Sequence, residues 1–117
     1  YREGAVQRKW LKAFGRMQGP GDAAKQFLVA SHIKPWRDSS NEERLNKYNG
    51  ILLLPNLDKA FDLGYISFEY KGMIKISNFI ESPLMLGIRP ELHIALTPEH
   101  EDFMAYHREH VFERKMS

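Results

Sequence analysis

The sequence has no cysteine. That excludes a structural disulfide, a thiolate zinc site and a cysteine nucleophile. It also lacks any apolar run near the roughly 20 residues needed to span a bilayer. The longest, Ile51-Leu52-Leu53-Leu54, suits a buried strand. Nothing at the N-terminus reads as a signal peptide, so a cytoplasmic protein with no membrane association is expected. There are no internal repeats and no low-complexity stretch. What is present is an ordinary soluble composition, 27% charged and 43% hydrophobic, in a chain long enough for one core and too short for two. A single domain over 1–117 is expected. The chain opens on Tyr1 rather than methionine, which points to a piece of something longer.

Charge is unevenly distributed. Residues 1–37 hold eight Lys/Arg against Glu3 and Asp22, a net of +6; the remaining 80 residues hold nine basic against thirteen acidic, a net of −4. A basic N-terminal third suggests a side facing a polyanion, although a solvated helix face would look the same.

Periodicity predicts an α+β fold. Val6, Trp10, Leu11, Ala13 and Phe14 fall at helical spacing among basic residues, giving a basic helix over 4–16. Phe27–Ala30 and Ile51–Leu54 read as short strands. Between them lies a polar loop, Arg37 to Tyr48, with one helical turn at Glu42–Asn46, and Asn49-Gly50 signals a turn. A helix over Leu57–Leu63 stops at Gly64. Tyr65–Tyr70 and Met73–Ser77 alternate around Lys71-Gly72 as a hairpin. Glu81–Ile88 reads as a helix with Pro83 in its first turn. Thr97-Pro98 starts a last helix running to about Arg114.

Chemistry-bearing residues gather in the middle of the chain. Asp58 and Asp62 are four apart, so they share a helix face. Their repulsion is worth a few tenths of a kcal/mol in an isolated helix, and a hard divalent cation would reverse its sign. Two solvated acids on a surface helix would also fit. His32 ends an apolar strand, where it is either a satisfied core histidine or a general base. Asn49, by itself, reads as a turn residue. Trp10 and Trp36 suit either core packing or base stacking. His93, His100, His107 and His110 show no metal-ligand spacing, and His107 suits the core face of the last helix.

Taken together, Ala30-Ser31-His32-Ile33-Lys34-Pro35-Trp36 and Asn49-Gly50-Ile51-Leu52-Leu53-Leu54-Pro55-Asn56-Leu57-Asp58-Lys59-Ala60-Phe61-Asp62-Leu63-Gly64 resemble the HNH endonuclease family. They look most like its bacterial restriction and defence branch, with a motif core at about 27–70. Tyr106-His107-Arg108-Glu109-His110-Val111-Phe112 is similar to that branch's C-terminal ending. The resemblance implies a ββα-metal core carrying one divalent ion, magnesium or manganese, and DNA as substrate. The basic helix, the hairpin and the C-terminal helix would be additions to that core. It implies His32 as general base, Asn49 as the brace that orients it, and Asp58 and Asp62 as metal ligands. Ser31 departs from the acidic residue or histidine that many relatives place against the metal. Arg16–Lys25 lacks the cysteine-containing turn of others. Lys34, Arg37 and Arg108 are candidates for gripping backbone phosphates. The expected function is a metal-dependent DNA endonuclease, the catalytic module of a restriction or anti-phage system with a fused or associated recognition domain. A homodimer is left open. The alternatives are a degenerate HNH fold kept only for nucleic-acid binding and, with less support, a toxin nuclease with an immunity partner.

Overall fold

The computed structural model describes residues 26–114. The expected basic helix over 4–16, with Trp10, lies outside them, as does the Arg16–Lys25 segment.

Strand β1 (Val29–His32) pairs antiparallel with β2 (Gly50–Leu53), in the register Val29↔Leu53 to His32↔Gly50. β1 begins two residues later than its apolar run suggests and carries on through His32. The ladder is prolonged by the Ile33 N–H, which donates to the Asn49 carbonyl at 3.2 Å. It stops before Pro35, which has no N–H to give. β2 is buried along its whole length, which is why its sequence is a continuous apolar run.

The 33–49 connection is ordered by local chemistry. Trp36–Asp38 forms one 3-10 turn. Helix α1 (Asn41–Leu45) is nucleated by a capping box: Ser40 Oγ accepts from the Glu43 N–H at 3.2 Å, and the Glu43 carboxylate accepts from the Ser40 N–H at 2.8 Å. Asn49-Gly50 is not a two-residue hairpin turn. The turn lies earlier, closed by the Asn49 N–H on the Asn46 carbonyl at 3.0 Å, and Gly50 already belongs to β2.

Helix α2 (Pro55–Leu63) starts two residues before the expected Leu57, because proline loses nothing at the first helical position. It ends at Gly64, whose φ of +84° closes the helix through bonds to the Ala60 and Phe61 carbonyls. A Cβ at Gly64 would collide with the Val111 carbonyl, so the end of α2 sits directly against the end of the C-terminal segment. Hairpin β3 (Ile66–Phe68) and β4 (Ile74–Ile76) follows as expected. The expected helix at Glu81–Ile88 is only a 3-10 turn, Pro83–Leu86, cut short by Gly87 at φ +74°. The last helix begins as a 3-10 turn at Pro98–His100 and continues as α3 (Glu101–His110), ending four residues before Arg114.

Ile33, Ile51, Leu53, Leu57, Phe61, Ile66, Phe68, Ile94 and Met104 form one buried cluster joining β1–β2, α2, the hairpin and α3. Each such side chain contributes about 1.5–3 kcal/mol on burial. The result is a small α+β domain of two short antiparallel sheets and helices, with α2 laid against β1 and β3. No helix among the described residues is long and apolar enough to cross a membrane.

Candidate active site

An open cleft of about 490 Å³ lies where the end of β1, the outer face of α2 and the end of α3 meet. Ser31, His32, Arg37, Asp58 and Asp62 all line it. Asn49, Lys34 and Arg108 do not.

His32 is held by its surroundings in one tautomer. Its Nε2 lies 3.0 Å from the Arg44 carbonyl. A carbonyl only accepts, so in the neutral ring Nε2 carries the hydrogen and Nδ1 the basic lone pair. Trp36 packs edge-on against the imidazole, with ring centroids 5.2 Å apart. The Arg44 guanidinium lies 4.5 Å from the Trp36 centroid, and its Nε donates to the Trp36 carbonyl at 2.8 Å. Trp36 is 40% exposed, so the indole packs against the histidine while part of it stays open to solvent.

Asn49 explains why that carbonyl is where it is. It is fully buried. Its Oδ1 accepts from the Lys34 N–H at 2.8 Å, and its Nδ2 donates to the Glu43 carbonyl at 3.0 Å and to Ser39 Oγ at 3.3 Å. One amide thus ties the start, middle and end of the 33–49 connection, next to the residue whose carbonyl holds His32. Asn49→Ala is expected to cost about 2–4 kcal/mol, because it leaves the part-buried Lys34 N–H and Glu43 carbonyl without their partner and empties a buried site. Chemical denaturation would measure this.

The two carboxylates differ. Asp58 is half-buried and Asp62 exposed. Burial pushes the Asp58 carboxyl above its ordinary value, opposed by the Ser31 hydroxyl and by Lys59. Ser31 is 3% exposed, and its Oγ has no partner in good hydrogen-bond geometry, although it lies near enough to Asp58 to favour the charged form. A buried hydroxyl beside a half-buried carboxylate fits a site that takes up a cation. Asp58 and Asp62 would hold it. Among the described residues no group of three or more His, Asp or Glu is arranged around a single metal position, so protein carboxylates would supply only part of the coordination.

Of the three expected phosphate-gripping cations, Arg37 lies exposed on the cleft wall. Lys34 is paired with Glu43 at 3.0 Å and lies 4.8 Å from the Tyr106 ring centroid. Arg108 is paired with Glu101 and donates to the Phe68 carbonyl at 2.9 Å. These two tie elements together.

Sequence reasoning did not place Asp38, His107, His110 and Arg114 on the cleft wall, where they lie. The signal was the i, i+3, i+7 recurrence of 107, 110 and 114. His107 is 1% exposed and stacks on Phe61 at 3.7 Å, with 5° between the planes. Ser67 Oγ donates to its Nδ1 at 2.8 Å, and its Nε2 donates to the Phe61 carbonyl at 2.9 Å. Burial pushes its pKa down to about 4, so it is neutral at physiological pH. This Ser–His pair is no nucleophilic dyad: Ser67 is fully buried and both ring nitrogens are engaged.

No curated protein matches the chain. A family model described as HNH endonuclease matches residues 18–69, a stretch that contains β1, β2 and the carboxylate helix, and this similarity supports the HNH family for the domain.

Proposed function

We propose that this domain is a divalent-metal-dependent endonuclease that hydrolyses phosphodiester bonds in DNA, with His32 as the general base. The observation that carries the reading is one cleft lined by His32, with its lone pair on Nδ1, and by Asp58 and Asp62. The similarity to HNH endonucleases over 18–69 supports the same chemistry. A water in line with the leaving 3′-oxygen gives its proton to Nδ1 of His32 as it attacks phosphorus. The Arg44 carbonyl stabilises the imidazolium that results, by accepting the Nε2 hydrogen throughout. Asp58 and Asp62 would hold a divalent cation, magnesium or manganese, which would offset the charge that builds on the phosphorane and leaving group. Arg37 holds a neighbouring phosphate. A place in a restriction or anti-phage system, with a recognition domain elsewhere, rests on the motif resemblance.

The second reading, a DNA-binding module without activity, is favoured by one residue: Ser31 puts a neutral hydroxyl where many relatives carry a ligand. Plasmid nicking with and without magnesium or manganese separates the two. Metal-dependent nicks support the nuclease; an electrophoretic shift with no cleavage supports the binding module.

Ser31→Asp tests how far the site depends on DNA for its coordination. An added hard anion beside Asp58 should strengthen manganese binding to the free protein by about tenfold, or roughly 1.4 kcal/mol. It should also lower metal-free stability, since a second buried carboxylate faces one already raised in pKa. Calorimetric titration, with and without a phosphorothioate duplex, measures the first effect. Unchanged affinity would mean that residue 31 does not face the metal.

A further inference from the structure

We propose that α3 positions both walls of the cleft, His107 holding the carboxylate helix and Tyr106 holding the loop that fixes the base. This rests on the nuclease reading above for its catalytic meaning, though not for its geometry. Both residues lie beyond the 18–69 family match.

His107 acts at the last turn of α2. Its Nε2 donates to the carbonyl of Phe61, the residue directly before Asp62, while its ring lies flat on the Phe61 ring. Ser67 on β3 fixes the imidazole from the other side. Neutral histidine suits the place because it offers one donor and one acceptor in a rigid plane. The same end of α2 is held again by the Glu113 N–H, which donates to the Gly64 carbonyl at 2.9 Å.

Tyr106 acts on the opposite wall. Its hydroxyl donates to Asp38 Oδ2 at 3.0 Å, at the end of the 3-10 turn whose Trp36 packs against His32. Lys34 lies over the same tyrosine ring. Successive residues on an α-helix point about 100° apart, so one helix reaches both walls with adjacent side chains. The paired strands and α2 bring base and carboxylates together, and α3 braces the wall behind each of them.

The test is NMR on the metal-free protein, reading the aspartate carboxyl carbons and the His32 ring, together with manganese titration. His107→Leu should move the Asp58 and Asp62 signals, leave those of His32 in place and weaken manganese binding about tenfold, because the helix that carries both carboxylates loses its brace. His107→Gln, which keeps a donor and an acceptor, should restore both. Tyr106→Phe should do the reverse, moving His32 and lowering kcat with manganese affinity unchanged. If His107→Leu does not fold, Ser67→Ala should move the same carboxylates by less. Unmoved carboxylates in folded His107→Leu or Ser67→Ala, no rescue by glutamine, or carboxylate shifts in Tyr106→Phe would each overturn the proposal. A wild type that neither binds manganese nor nicks plasmid, with the carboxylate pattern as expected, would defeat the nuclease reading and leave the positioning role standing.

Discussion

Replacing His32 with alanine is expected to abolish nicking while leaving the fold and DNA binding intact. General-base loss costs about 10²–10⁴ in rate. The fold should survive because His32 is only half-buried at the end of β1, with Ile33 and β2 forming the core beside it. The bond lost, Nε2 to the Arg44 carbonyl, lies at a part-buried site where water can replace the imidazole. Arg44 retains its bond to the Trp36 carbonyl, so the loop keeps its shape. His32→Gln is an informative companion, since its amide can still donate to the Arg44 carbonyl but is not basic. It should be as inactive as alanine. Single-turnover nicking beside a thermal melt reads both properties, and full activity in a folded His32→Ala protein would remove His32 from the chemistry.

Asp58→Asn is expected to lower manganese affinity by about 100-fold or more, beyond the loss typical of an outer-shell change. The loss should exceed that of Asp62→Asn, because Asp58 lies deeper and faces Ser31 whereas Asp62 is exposed. The same substitution should stabilise the metal-free protein at neutral pH. Burial raises the Asp58 pKa above its unfolded value, so the fold disfavours the ionised carboxylate. That penalty is absent below the ordinary carboxylate range. It grows as pH rises through the window between the unfolded and folded pKa values, and is full above it. Asparagine removes it, so the gain in melting temperature should vanish in acid. Metal binding in the wild type should weaken as pH falls through the raised pKa, at a higher pH than an ordinary carboxylate would show. Melts and manganese titrations across pH measure both.

The local parts of this structure were readable where one residue type dictates one conformation. Gly64 at positive φ ended α2, and Lys71-Gly72 turned the hairpin. Boundaries moved where the pattern was two-sided: the Phe27–Ala30 run is apolar, but pairing with β2 decides that the strand is Val29–His32. The capping box Ser40–Glu43 was present in the sequence, yet a polar stretch read as loop with a turn placed one residue late. The Glu81–Ile88 segment read as a helix with Pro83 in its first turn, but Gly87 leaves room for a single 3-10 turn. Site chemistry divided in the same way. Ser31, His32, Asp58 and Asp62 come together because two paired strands and the next helix bring close what is already near in sequence. The contacts of α3 cross about 40 to 70 positions, from His107 to Ser67 and Phe61 and from Tyr106 to Asp38. No local pattern encodes such pairs. Nor could charge alone reveal that Lys34 and Arg108 are paired with Glu43 and Glu101.

The most direct measurement is the single-turnover rate of plasmid nicking against manganese concentration for wild type, His32→Ala and Asp58→Asn. Wild type should show no nicking without metal and a saturable rise with it. His32→Ala should reach half-saturation at the same manganese concentration with a plateau lower by about 10²–10⁴, and Asp58→Asn should need far more manganese. Nicking that persists without any divalent ion, or a His32→Ala curve that overlays the wild type, would contradict a histidine base working beside a metal held by Asp58 and Asp62.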